Sequence, residues 1–173
     1  MMSGMNRENG SLIELPYKLI DIGMGKEQFV LSFVRFARHQ DSFSIKRGGL
    51  TGDFEVAYKC EGMDCKFGCD ITMGNLYTFY LELDNAFDCL AGTDSVAILQ
   101  NNADKPMHSK MSFEFDKTGH CTVNGCFMNR NNCYKSGITF GMTIDNIFIS
   151  EILTSLREFF SALKKIQGHN NYY

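Results

Sequence analysis

The fold of this chain is indicated most clearly by residues 107–166, MHSKMSFEFDKTGHCTVNGCFMNRNNCYKSGITFGMTIDNIFISEILTSLREFFSALKKI. Apolar and polar residues alternate from Met107 to Phe115, and Lys117-Thr118-Gly119 supplies a tight turn into a second strand. An amphipathic helix begins near Asp145, whose carboxylate can accept the first free amide protons. Before this helix, apolar residues occupy every second position: Ile138, Phe140, Met142 and Ile144. The stretch predicts strand, turn, strand, strand and closing helix, and it shows no catalytic signature.

The rest of the chain predicts further strands and one more helix. The helix is expected from about Asn75 to Leu90, with Thr72 or Asn75 as its cap and Gly92 after its end. Its predicted buried stripe is Leu76, Tyr80, Leu83, Phe87 and Leu90. Strands are expected over residues 12–22, 28–38, 53–60, 65–71 and 95–99.

These elements predict an α+β fold. A chain of 173 residues is long enough to bury a good core, and we expect one domain over residues 1–173. About seven or eight antiparallel strands would form one curved sheet, with two helices packed on one face. Residues 1–10 and 168–173 are rich in Asn and Gly and are expected to fray. No internal repeat is evident.

Charge is distributed unevenly along the chain. Residues 53–94 hold nine acids against two bases, a local charge of −7, while residues 1–50 and 95–173 each carry +2. A nucleic-acid binder would concentrate Lys and Arg, so this pattern argues against nucleic acid and favours a basic partner. The alternative is that these acids solvate one side of the domain.

The cysteines and histidines do not match a metal site, and we expect no metal and no cofactor. Neither the C-x4-C-x3-C run from Cys60 to Cys69 nor the run from His120 to Cys133 contains the paired C-x2-C spacing of structural zinc. Three cysteines fall on the apolar sides of their strands: Cys60, Cys65 and Cys69.

A small cysteine- or zinc-dependent enzyme remains the alternative to a binding protein. It would use His120, Cys126 and Cys133. Six residues along one strand separate His120 from Cys126 by roughly 20 Å, at ~3.3 Å per residue, so contact would need an intervening strand.

The middle helix carries the surface that we expect to bind a partner. With Leu83 facing inward, a second face mixes apolar and acidic side chains, as a docking surface for a basic partner does. The alternative is that the loop at 101–106 or the amino-terminal arm covers this face. The predicted partner-binding residues are Tyr77, Leu81, Asp84, Asp88, Asp64 and Asp94.

Three short motifs carry a family resemblance over roughly residues 50–160. They are the Asp116-Lys117-Thr118-Gly119 turn, a strand closing on Gly125, and the helix start at Asp145–Ile149. Together they resemble the WapI-like immunity proteins of bacterial polymorphic-toxin systems, although Asn146 and Ile147 replace a polar pair of that pattern. The resemblance implies a protein that binds and neutralises a cognate toxin domain, often a nuclease.

We therefore expect a cytoplasmic binding protein and not an enzyme. No run approaches the ~18 apolar residues of a membrane span, and no signal peptide is visible at the amino terminus. The expected partner is a cognate toxin domain with a basic surface, without nucleic acid or membrane. A homodimer is also compatible with the sequence, and a structural or oligomerisation module is a third alternative.

Overall fold

The computed structural model describes residues 13–37, 51–89, 94–101, 109–133 and 135–170. Within these ranges the chain forms eight strands and two α-helices. The first half contains β1 (Tyr17–Met24), β2 (Glu27–Phe36), β3 (Gly52–Cys60), β4 (Met63–Cys69) and α1 (Met73–Asp88). The second half contains β5 (Ser95–Gln100), β6 (Ser109–Phe115), β7 (Cys121–Met128), β8 (Gly137–Ile144) and α2 (Asn146–Asn170).

The strands form two antiparallel four-stranded sheets, β1-β2-β3-β4 and β5-β6-β7-β8. Each sheet follows the order of the chain and is succeeded by one helix, so the element order ββββα occurs twice. The α+β fold, with antiparallel strands and two packed helices, is confirmed. The strands divide between two sheets where the sequence led us to expect a single curved one.

The two halves repeat a pattern of burial and not a sequence. In α1 four buried residues are spaced three, four and three positions apart: Leu76, Phe79, Leu83 and Ala86. In α2 four buried residues have the same spacing: Ile149, Ile152, Leu156 and Phe159. Only apolar character is shared at these positions, which explains why no repeat is evident from the sequence. When α1 and α2 are aligned on these buried residues, Tyr77 corresponds to Ser150, Leu81 to Thr154 and Glu82 to Ser155.

The inner faces of the two sheets meet through aromatic rings. Phe29 of β2 stacks on Phe140 of β8 with ring centroids 4.5 Å apart, and Tyr58 of β3 stacks on the same ring at 5.5 Å. Gly125 of β7 lies opposite Phe140 of β8, and a Cβ atom at Gly125 would lie only 2.3 Å from the Phe140 ring. The glycine therefore makes the room in which Phe140 can bridge both sheets.

Each helix lies along the first strand of the other half. The Ser95 hydroxyl on β5 donates to the Ala86 carbonyl of α1 (3.4 Å), and the Ile98 amide donates to the Glu82 carboxylate (2.9 Å). On the other side, the Ser155 hydroxyl of α2 donates to the Lys18 carbonyl of β1 (2.7 Å). Glu82 and Ser155 are equivalent positions, and each satisfies a backbone group on the outer edge of a sheet, where unpaired groups invite other chains.

The closing block of the chain forms as the sequence predicts from Ser109 onward, and Met107 and His108 at the start of the predicted strand lie outside the described residues. The Asp116 carboxylate accepts from the amides of Thr118 and His120 and so holds the turn between β6 and β7. The Asp145 carboxylate accepts from the Ile147 amide (2.9 Å) at the start of α2. The four alternating residues of β8 are all buried: Ile138, Phe140, Met142 and Ile144.

The buried face of α1 differs from the predicted stripe. The Thr72 hydroxyl and the Asn75 side chain cap the helix reciprocally, so both candidate caps take part. Phe79 and Ala86 are buried, whereas Tyr80 and Phe87 are only half-buried. The reason is that α1 packs against β6 on one side and α2 on the other, which broadens its apolar face. Leu90 and Gly92 lie outside the described residues.

The ends of the other predicted elements differ by a few residues. The first two strands run over β1 and β2, and the predicted ends at Leu12 and Arg38 lie outside the described residues. The backbone of α2 extends to Asn170, inside the stretch 168–173 that the composition marks as a frayed end. Among the described helices, none is long and apolar enough to cross a membrane.

Candidate partner-binding surface

Most acids of the 53–94 segment are paired with bases in the folded protein. Asp53 accepts from Arg35 and, at 3.0 Å, from Arg130. The hydrogen bond from Arg35, followed by the bond and charge of Arg130, lowers the pKa of the Asp53 carboxyl against the opposing effect of burial. Three further pairs lie on the first sheet: Glu55 with Lys66 (2.8 Å), Glu61 with Lys26 (2.7 Å) and Asp64 with Lys59 (3.3 Å).

This pairing changes the meaning of the charge count. Arg35, Lys26 and Arg130 come from outside the 53–94 segment and reach its carboxylates only in the folded chain. The −7 counted along the sequence is therefore not the charge of one surface patch. A partner would meet the acids that remain exposed.

The structure separates Asp64 from the other predicted site residues. Asp64 is the second residue of β4, beside the two-residue turn that joins β3 to β4, and its carboxylate is paired with Lys59. The helix α1 begins only after the opposite end of that strand. Asp64 and the face of α1 therefore belong to different parts of the surface.

Tyr77 and Leu81 lie on the predicted face of α1 but are exposed to different extents. The Tyr77 ring is half-buried and contacts Phe160 of α2 edge-on, with centroids 5.0 Å apart. Leu81 is 41% exposed. The Tyr77 ring is thus partly covered by α2. Residues 102–106 and the amino-terminal arm before residue 13, which the sequence offered as the alternative cover for this face, lie outside the described residues. Leu81 is the apolar side chain of this face that a partner could bury.

Arg157 of α2 belongs to this surface, although sequence reasoning did not identify it. Its guanidinium lies 3.6 Å from the Asp84 carboxylate. A hydrogen bond with the Tyr80 hydroxyl, followed by the charges of Asp84 and Asp88, raises the pKa of Arg157. The pairing depends on the packing of α2 against α1, so the only signal in the sequence was that Arg157 is a base on the outward side of the closing helix.

Asp88 and Asp94 are both near the carboxyl end of α1. Asp88 is the last residue of the helix, and the bond from Ser95 to Ala86 places Asp94 beside the same turn. Both side chains are exposed. The last turn of α1 contains no basic residue. Four of the six predicted residues, namely Tyr77, Leu81, Asp84 and Asp88, thus share one helix face, and Asp94 adjoins its end.

The residues of the alternative enzyme site lie at the turn before β7 (His120), within β7 (Cys126) and in the connection between β7 and β8 (Cys133). His120 lies at the turn before β7, where its Nδ1 atom is 2.6 Å from the Thr118 hydroxyl. Cys126 and Cys133 are exposed. Within the described part of the chain, no three His, Cys, Asp or Glu side chains lie close enough to hold a metal ion.

Burial decides the chemistry of the interior thiols. Cys69 and Cys121 are buried, and desolvation raises the pKa of each thiol to about 12. Both are therefore protonated at neutral pH, and a thiol in that state is a poor nucleophile and a poor metal ligand. Cys69 lies on the inner side of its strand as the sequence predicts, and Cys60 and Cys65 are half-buried.

No family model matches the chain, and no curated protein matches it. Among solved structures, the plant transcriptional regulator PBF-2 is similar over 92% of this chain and 97% of its own, with 8% sequence identity and a TM-score of 0.43.

Proposed function

We propose that this protein binds a macromolecular partner with a basic surface and neutralises it by stoichiometric occlusion, as an immunity protein does with its cognate toxin domain. The proposed interface is the outward face of α1 together with the start of β5. Leu81, Asp88 and Asp94 form its centre. Tyr77 and Asp84 form its border, where α2 begins to cover the face.

The observation that supports this proposal most strongly is the position of Asp88. A helix carries the equivalent of roughly half a negative charge at its carboxyl end, so a carboxylate there lowers the stability of the folded protein. The last turn of α1 supplies no base, Arg157 of α2 attracts Asp88 but is itself paired with Asp84, and Asp94 adds a second carboxylate near this end of the helix. Departures from local stability rules are expected mainly at functional sites. A cationic partner would offset both the carboxylates and the helix dipole.

Leu81 supplies the apolar part of the proposed contact. Interfaces typically combine a buried apolar centre with a polar rim. Here a leucine that is 41% exposed lies one turn before Asp84 and two turns before Asp88 on the same face. The ion pair between Asp84 and Arg157 leaves Asp88 and Asp94 as the carboxylates best placed to meet a base on the partner.

The proposal predicts that a reading frame next to this gene encodes a toxin domain, and the test uses that domain. Co-expression should rescue growth, and the purified proteins should form a complex of fixed stoichiometry. Asp88→Lys combined with Asp94→Lys should weaken binding at least about tenfold and reduce its salt dependence, because a like charge then faces the basic partner. The matched control is Glu61→Lys combined with Asp64→Lys, since it makes the same charge change of four units on a different part of the surface.

The possible results distinguish the function from the interface. If co-expression does not rescue growth and no complex forms, the immunity function is wrong. If a complex forms but the double variant binds like the unmodified protein, the function stands and the α1 interface is wrong. Equal losses in the Asp88/Asp94 variant and in the Glu61/Asp64 control would indicate a general effect of net charge.

A further inference from the structure

The hairpin of β3 and β4 brings three sulfur-containing side chains to one face. A two-residue turn at Glu61-Gly62 joins the strands, and the register places Cys60 opposite Met63 and Tyr58 opposite Cys65. Side chains alternate between the two faces of a strand, so Cys60, Met63 and Cys65 all project from the face that also carries Tyr58. We refer to these three residues as the sulfur cluster.

The sulfur cluster lies where the core reaches solvent. Tyr58 is buried, Cys60 and Cys65 are half-buried, and Met63 is 44% exposed. The Cys65 thiol donates to the Tyr58 carbonyl (3.6 Å), so its sulfur leans across the hairpin toward β3. A small ion can therefore approach the cluster from solvent while the core packs behind it.

A neighbouring carboxylate is already occupied by a hydrogen bond. Gln28 of β2 pairs with Lys59, which brings Glu27 level with Cys60, and the Glu27 carboxylate accepts from the Tyr58 hydroxyl. Burial, then the bond and charge of Glu27, and then Cys60 raise the pKa of Tyr58, so the hydroxyl keeps its proton at neutral pH. The groups left for a metal ion are two thiols and one thioether.

This donor set favours a soft metal ion. Thiolate and thioether sulfur suit copper(I), whereas structural zinc takes four ligands from cysteine, histidine and carboxylate side chains. Among the residues that the structure describes, no three His, Cys, Asp or Glu side chains could hold such an ion. The third sulfur of the cluster belongs to Met63, which is a ligand for copper(I) and not one of the usual ligands of zinc.

The spacing of the two cysteines favours a bridging ion over a disulfide. Cys60 and Cys65 are diagonal neighbours in the ladder, and such positions lie about 7–8 Å apart. A disulfide needs Cα atoms within about 7 Å and Cβ atoms about 3.8 Å apart, so the hairpin backbone would have to move. A metal ion inserts two bonds to sulfur of about 2.3 Å each and spans the wider gap.

We propose that the sulfur cluster binds one copper(I) ion, with Cys60 and Cys65 as its main ligands and the Met63 thioether as a third. Binding exchanges ligands without oxidation or reduction, since two bonds form between copper and cysteine sulfur and two thiol protons pass to solvent. The cluster shares no residue with the face of α1, so this site stands or falls independently of the proposed function.

The ion must displace protons from the thiols. Burial raises the pKa of Cys65 against the effect of its hydrogen bond to the Tyr58 carbonyl. The charges of Asp64 and Cys60 add to this rise. Because each cysteine that binds the ion releases a proton, the apparent affinity for copper(I) should increase with pH.

The test measures how firmly the full chain retains copper(I) against bicinchoninate, a coloured copper(I) chelator, in ascorbate without oxygen. Cys89→Ser, Cys126→Ser and Cys133→Ser first remove the exposed thiols, so that they do not compete. One copper(I) ion should be retained per chain, more tightly at higher pH. X-ray absorption at the copper edge should show sulfur ligands only, and excess zinc(II) should not displace the ion.

Variants of the individual ligands locate the ion. Cys60→Ser and Cys65→Ser should each weaken copper(I) binding at least about tenfold, because each removes a charged ligand. Met63→Leu should weaken it about two- to tenfold, since an uncharged thioether contributes less. Met24→Leu is the matched control and should leave binding unchanged. Met24 is 46% exposed but lies on β1, three strands from β4, which is about 14 Å at ~4.8 Å per strand.

Several results would overturn the proposal. They are the loss of all copper to the chelator, undiminished binding by Cys60→Ser or Cys65→Ser, nitrogen or oxygen ligands in the absorption spectrum, displacement by zinc(II), and equal effects of the two methionine changes. The amide spectrum of each variant in nuclear magnetic resonance, measured without metal, shows whether the fold is retained. If one cysteine variant fails to fold, the other and Met63→Leu, at an exposed position, still decide the outcome.

Discussion

Replacing Asp88 by asparagine should stabilise the isolated protein, although it weakens the proposed interface. Asp88 ends α1 at the negative end of the helix dipole, where removing a carboxylate is worth about 0.3–1 kcal/mol at low salt. Asparagine and aspartate have similar helix propensities, so the change isolates the charge. The attraction between Asp88 and Arg157 opposes the gain, and because both groups are exposed we expect a gain at the lower end of this range.

The measurement is urea unfolding at low ionic strength, with the slope of the transition as a check on two-state behaviour. The midpoint should rise at constant slope, and the melting temperature should rise by about 1 °C, since 1 kcal/mol corresponds to about 2–4 °C in a protein of this size. In ~1 M salt the difference should largely disappear, because the screening length falls to about 3 Å.

Glu151→Gln is the matched control, because it removes the same charge from an exposed position in the amino-terminal half of α2. The dipole there favours a carboxylate, so this change should leave stability unchanged or lower it slightly. The reasoning is refuted if Asp88→Asn lowers stability at low salt, or if its gain persists unchanged at 1 M salt.

Two further predictions concern the packing of the core and the loss of stability at low pH. Gly125→Ala should lower the free energy of unfolding, measured with urea, by about 1–3 kcal/mol, because the added Cβ atom would overlap the Phe140 ring. Gly23→Ala is the control and should not lower it, because no atom lies closer than 3.9 Å to a Cβ atom at Gly23. Equal effects of the two changes would contradict the close-contact explanation. Asp53 has a folded pKa below its unfolded value near 3.8, so its contribution is present above that value and is lost as pH falls through the folded pKa. Urea unfolding at a series of pH values should show that Asp53→Asn is less stable than the unmodified protein at neutral pH and loses less stability below about pH 4. The same loss of stability at low pH in both proteins would contradict this.

The parts of the fold that the sequence predicts well depend on short-range chemistry. Alternation at Phe140 and Met142, the Asp116 turn and the Asp145 cap each involve groups a few residues apart. Such patterns act before any long-range packing is chosen. They predict strands, turns and helix starts, which was enough for the α+β class.

The candidate site was only partly predictable for the same reason. Helical spacing places Tyr77, Leu81 and Asp88 on one face of α1, and the structure agrees. The spacing could not show that Arg157 pairs with Asp84, or that Asp64 lies on a separate hairpin. Both facts depend on which elements become neighbours after folding.

The sequence alone therefore determined the local elements, their order and the apolar side of most of them, because hydrophobic periodicity and turn chemistry are properties of neighbouring residues. Tertiary structure decided that eight strands form two sheets, that each helix covers the first strand of the other half, and that the acids of residues 53–94 are mostly paired. It also decided that Leu81 stays exposed. These outcomes depend on the volumes and charges that meet when distant segments pack, and no pattern within one segment contains that information.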